Sequence, residues 1–148
     1  MSSVLLGNLL YAFIAFSWIT YITQELFITG SSALNLNVAK NEGERKQIQV
    51  ASGIHFDGIE VWFIAAVALT IATFPQVFGT IFSHLYVVIY LLLYALITRG
   101  ITIEVIYKMD SKKWVRTMVI AWTISSITIM FLLGVYITNL FLGYPLGT

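Results

Sequence analysis

The chain has 148 residues, of which 59% are hydrophobic, 15% aromatic and 10% charged, and its mean hydropathy is +0.88. That is far more apolar than a soluble domain of this length, so the sequence reads as an integral membrane protein. It has no cysteine, which excludes disulfide frameworks, thiolate metal sites and cysteine nucleophiles. A net charge of +1 points to no nucleic-acid partner; the placement of the charges carries more information than their sum.

Residues 1–24 contain no charge, and no basic stretch or small-residue cleavage site brackets the apolar run. The first segment, residues 4–29, is therefore predicted to be a retained transmembrane helix rather than a signal peptide, longer than the roughly 20 residues a bilayer core requires. Glu25 sits at its far end, and Gly30-Ser31-Ser32 marks its stop. Asn41 followed by Glu44 is an Asn version of the capping box, so a second helix is predicted over 42–74. At about 50 Å it must project its first turns into water, where Glu42 and Lys46 can pair at i, i+4. Gly53 offers a break as the alternative.

Phe74-Pro75-Gln76-Val77-Phe78-Gly79 is an uncharged connection between two breakers and predicts a hairpin turn. A third span is predicted over 80–107, with His84 near its start and Arg99 and Glu104 in its last third. After a loop containing Lys108, Asp110, Lys112, Lys113 and Arg116, a fourth span is predicted over 117–141, stopping at Gly143-Tyr144-Pro145. The expectation is an all-α, polytopic, single four-helix transmembrane domain covering residues 1–148. All eight Lys and Arg residues fall in or beside the two connections on one side. Short basic loops stay in the cytoplasm, so both termini and the 75–79 turn are predicted to face outward.

On that topology Glu25, Asp57, Glu60, Arg99 and Glu104 all map to the cytoplasmic half of the bundle. Ionisable groups inside spans are expensive and often mark proton or ion routes. Asp57 and Glu60, three apart, share one helical face. Either they exchange protons as a coupled carboxylate pair or they form a structural ion pair with Arg99. Arg99 and Glu104 have surface alternatives, snorkelling to headgroups and pairing with Lys108. His55 and His84 are candidate haem ligands by residue type only, since they lie toward opposite membrane faces and cannot share one metal.

Taken together, Glu25-Leu26-Phe27 with Gly30, Asn41-Glu42-Gly43-Glu44-Arg45, His55-Phe56-Asp57-Gly58-Ile59-Glu60-Val61-Trp62, Phe74-Pro75-Gln76-Val77, Phe82-Ser83, Tyr86 and Arg99-Gly100 with Glu104 resemble, in order and spacing, subunit II of the cytochrome bd-type quinol oxidases. The resemblance implies a small subunit without haem of its own, in a prokaryotic cytoplasmic membrane. Its partner would be subunit I, which carries haems b and d in a complex that oxidises quinol and reduces dioxygen to water. It implies that Asp57 belongs to the cytoplasmic proton input; Glu60, Glu25, Glu104 and Arg99 are further proton-pathway candidates by their placement in the same half of the bundle. It also implies that Phe56, in place of a family Trp, contacts a bound quinone, with Trp62 as a second contact. Three departures stand out. Family members are commonly longer, with a second four-helix bundle, so a second copy or another small subunit is a candidate further partner. Ile28 stands where a second acid of the first-helix motif would be. Leu26, Ser31 and Ser32 fill positions that are Gly-rich in the family. A proton-coupled transporter or channel and a purely structural membrane subunit, in contact with lipid alone, are the competing classes.

Overall fold

The structure, a computed structural model, describes residues 3–106, 108 and 111–143. It is all-helical, with α1 (Ser3–Asn37), α2 (Glu42–Thr73), α3 (Pro75–His84), α4 (Tyr86–Val105) and α5 (Lys112–Leu142). Four of these, α1, α2, α4 and α5, are long and apolar enough to cross a membrane. The predicted third-span end at Tyr107, the loop residue Asp110 and the stop at Tyr144-Pro145 lie outside the described residues.

α1 runs eight residues beyond the predicted stop at 29, through Gly30-Ser31-Ser32. The serines do not break the helix because their hydroxyls donate back to it, Ser31 Oγ to the Phe27 carbonyl and Ser32 Oγ to that of Thr29. The extension is also held from outside. Asn35 Nδ2 donates to the Arg45 carbonyl at 3.0 Å and Thr123 Oγ1 to the Ser32 carbonyl at 3.2 Å. Tertiary hydrogen bonds thus override a local signal that favours a turn.

α2 starts as predicted. Asn41 Oδ1 accepts the Glu44 N–H at 2.8 Å, while the Glu44 carboxylate accepts from the Lys40 N–H and from Asn41 Nδ2, both at 2.8 Å. The helix passes through Gly53 without a break. Glu42 makes its ion pair with Lys112 at the start of α5 (3.1 Å), not within α2 as the i, i+4 spacing suggested, which ties the two connections together.

The hairpin and the third span depart from expectation. Phe74 both ends α2 and starts α3, and Pro75 occupies the first position of α3, where its missing N–H is no loss and its fixed φ suits a helix. The 75–79 segment is therefore helical. The break falls later, at Leu85, whose N–H reaches the Ile81 carbonyl (2.8 Å) and whose carbonyl accepts the Ile89 N–H (2.9 Å). With both groups bonded, the kink leaves no orphaned backbone there. The spanning helix begins at Tyr86 rather than Thr80.

α1 packs along α2 and α5, and α5 along α4; α2 and α4 meet over a thin seam, and α1 and α4 lie diagonally opposite. Buried positions recur three and four residues apart on every span: Ser17, Tyr21, Glu25, Ile28, Ser32 and Asn35 on α1; Gln49, Ser52, Phe56 and Ile59 on α2. On α4 they are Leu92, Ala95, Arg99, Thr102 and the flanking Ile106, and on α5 Val119, Trp122, Ser126, Ile129 and Leu133. This is the spacing of helices that each turn one face into a bundle. The surface of the spans is largely apolar, including Ile64, Tyr90, Tyr94 and Ile124. Hydrocarbon is as apolar as these side chains, so cohesion comes from packing and from the polar seam.

The α2–α4 seam closes at Gly100. A Cβ there would sit 3.4 Å from Phe56 Cζ and 3.7 Å from Glu60 Oε1. Gly100→Ala is therefore expected to unfold within about 0.5 kcal/mol of the parent, while Gly100→Leu loses about 1–3 kcal/mol by overpacking. Denaturant titration in mixed micelles checks both, and equal stability of the Leu variant would show that the seam is not closed.

Candidate functional site

The bundle interior holds one full pair of opposite charges. Arg99 on α4 and Glu25 on α1 are each completely buried, and Nη1 of the guanidinium donates to Oε1 of the carboxylate. The guanidinium carbon lies 5.6 Å from the centroid of the Phe56 ring, a cation–π approach in a site without solvent. The Tyr21 hydroxyl, one turn before Glu25, lies beside both charges. Glu25 Oε2, Arg99 Nε and Nη2, Thr29 Oγ1 and Ser126 Oγ are buried without a protein hydrogen-bond partner among the described residues. The pair thus retains acceptor and donor capacity beyond its own bond.

Arg99 is therefore neither a snorkelling surface residue nor the partner of Asp57 or Glu60. Its position on the buried repeat of α4, between Ala95 and Thr102, points it into the bundle, where the acid on the matching repeat is Glu25. Asp57 and Glu60 follow Phe56 on α2 but fall off the buried repeat, and both are exposed on the outer face. Glu60 lies on the α2–α4 seam over Gly100. Glu104 is exposed near the end of α4.

The histidines are apart from this pair. His55 is exposed, with Nδ1 2.9 Å from the Ala51 carbonyl and its ring 5.1 Å from that of Phe27. His84 is exposed at the end of α3, with Nδ1 2.9 Å from the Thr80 carbonyl. Among the described residues no group of three or more His, Asp and Glu could hold a metal ion. Phe56, to which the resemblance gives a quinone contact, is a core residue of this bundle. Its ring is 4% exposed, enclosed by Arg99 and the Gly100 seam, because residue 56 occupies a core position of the repeat. Trp62 is half-buried and packs edge-on against Phe16 at 5.6 Å.

Residues 6–148 match the protein family described as cytochrome bd terminal oxidase subunit II. The chain belongs to the cytochrome bd subunit II family. It is 30% identical over 143 residues to the cytochrome bd ubiquinol oxidase subunit 2 of Bacillus subtilis (strain 168), an alignment that covers 95% of this chain and 42% of that protein. The chain thus spans less than half the length of the curated relative it matches. For this member of the subunit II family, the four spans make it a multi-pass membrane protein.

Sequence reasoning named Glu25 and Arg99 but did not join them, and it missed Tyr21, Thr29 and Ser126. The signal was present as the polar line Ser17, Tyr21, Glu25, Thr29, Ser32 and Asn35 at three- and four-residue spacing in a largely apolar helix. In a membrane helix such a line marks the inward face.

Removing one member of the pair strands the other charge. Arg99→Leu is expected to destabilise the bundle by about 3–5 kcal/mol, and the Glu25→Leu/Arg99→Leu double variant to recover at least half of that. Unfolding in mixed micelles, read as a double-mutant cycle, measures both. A double variant no better than Arg99→Leu would show that the pair is not the source of the loss.

Proposed function

We propose that this chain acts as the second subunit of a bd-type quinol:dioxygen oxidoreductase of a respiratory chain, in a prokaryotic cytoplasmic membrane. It scaffolds a haem-bearing subunit I, which holds haems b and d, and contributes Asp57 to proton uptake from the cytoplasm, with Glu60 beside it. The end bearing Lys40, Arg45, Lys46, Lys112, Lys113 and Arg116 faces the cytoplasm, and both termini face outward. Family membership supports the complex.

One observation carries the placement of Asp57. Asp57 and Glu60 stand exposed on the outer face of a span of otherwise lipid-soluble character. A carboxylate facing hydrocarbon is costly and normally faces protein or a wet cavity. Arg99 makes its ion pair with Glu25 rather than with either acid, so that cost is not cancelled by an ion pair inside the bundle. A partner surface laid over the α2 face removes it and turns the two acids into the lining of an interface. A carboxylate there can accept a proton from the aqueous end of the seam and pass it to a group across the interface. The redox chemistry and the haem ligands belong to the partner in this reading.

In the assembled complex, Asp57→Asn is expected to lower quinol-driven oxygen consumption by about tenfold or more, as loss of a positioned proton carrier does. The reduced-minus-oxidised haem spectrum stays unchanged, and Glu60→Gln has a smaller effect. Full turnover with Asp57→Asn at unchanged haem content would remove Asp57 from the route. Haem loss in proportion to activity would make the residue structural.

A further inference from the structure

A second concavity lies at the end of the bundle that carries the α1–α2 and α4–α5 connections, away from Glu25 and Arg99. It opens between the starts of α2 and α5, with a volume of about 720 Å³. Among the described residues five cations line it, Lys40, Arg45, Lys46, Lys112 and Arg116, against the carboxylate of Glu42, and that carboxylate is engaged by Lys112. The local charge is thus strongly positive, and the two chain connections, far apart in sequence, have been brought together to make it so.

Two further features call for an anion there. α5 begins at Lys112 with no acid in its first turn and no side-chain cap, so its unsatisfied N–H groups and the positive end of its dipole add to the basic residues instead of offsetting them. Gln49, in the wall of the same concavity, is only 5% exposed, yet its amide nitrogen Nε2 has no acceptor. A buried amide donor without an acceptor is costly, and an anionic oxygen is the partner that the surrounding charge favours.

The remaining wall is apolar, formed by Val50, Ile106 and Val115. The concavity therefore joins a phosphate-sized basic site to the edge of the apolar spans. We propose that it binds the phosphate headgroup of an anionic phospholipid, with Gln49 and the cations of both connections on the phosphate oxygens and an acyl chain along the Val50–Val115 wall. Basic pockets between membrane helices are suited to this chemistry. Headgroup binding also ties the α1–α2 connection to the α4–α5 connection, adding to the Glu42–Lys112 contact.

The test uses the chain purified in mild detergent together with the proteins that accompany it. Native mass spectrometry follows the binding of dimyristoyl phosphatidylglycerol and dimyristoyl phosphatidylcholine, each with and without inorganic phosphate. The parent is expected to retain phosphatidylglycerol over phosphatidylcholine, and inorganic phosphate not to displace it. Lys46→Gln combined with Arg116→Gln should weaken phosphatidylglycerol binding by about tenfold or more, and Gln49→Leu by a smaller factor, with phosphatidylcholine unaffected. Equal retention of the two lipids by the parent overturns the proposal without recourse to any variant. So does unchanged binding in the variants, displacement by inorganic phosphate alone, which marks a free-phosphate site, or cross-linking of the groove to an acidic protein segment in place of lipid.

Discussion

The bundle depends on Arg99 and Glu25 meeting at its centre. α1 and α4 lie on a diagonal, so their charges can neutralise each other only across the whole interior, and only if both helices hold rotation and depth. An unpaired guanidinium or carboxylate in that position would be an isolated charge in a medium that solvates neither. The requirement fixes Arg99 and Glu25 as inward positions, and the three- and four-residue repeat then sets the inward face along each helix. Gly100, next to Arg99, follows from the same constraint. With Arg99 turned inward, its neighbour lies against α2, and only a small residue there lets Phe56 close over the guanidinium.

The same pair gives a physical reading of the departure at Ile28. That side chain is fully buried on the same repeat as Glu25, just under one turn later. Family resemblance puts a second acid there. In this chain the interior has one cation, Arg99, already matched by Glu25 among the described residues, so a second carboxylate at that depth would lack a countercharge. An isoleucine keeps the packing and leaves the interior electrically neutral. The substitution and the single Arg–Glu bond are consistent with each other.

Much of the fold was legible because membrane-length apolar runs, the Asn41–Glu44 box and the Phe74-Pro75 pair are local signals with local causes. The misreadings came where tertiary structure decides. Gly30-Ser31-Ser32 reads as a stop, yet Asn35 and Thr123 hold the helix through it. Residues 75–84 form a helix of their own, since Pro75 serves as well at the first position of a helix as in a turn. At the site, residue type identified all five ionisable candidates, but charge alone does not say which face an acid takes. Phase does: Glu25 and Arg99 fall on the repeat of buried residues, and Asp57 and Glu60 fall off it.

Phase also explains how one short run can serve two purposes. Phe56 and Ile59 point inward and close the core, while Asp57, the residue after Phe56, is exposed and Glu60 is exposed at the edge of the α2–α4 seam. A helix advances about 100° per residue, so adjacent residues cannot share a face. The Arg99–Glu25 ion pair joins α4 to α1 inside the bundle, and neither Asp57 nor Glu60, both on α2, shares in it. The bond that maintains the interior and the carboxylates proposed to carry protons thus stand on different helices, while Phe56 and Ile59 give the core its contribution from α2.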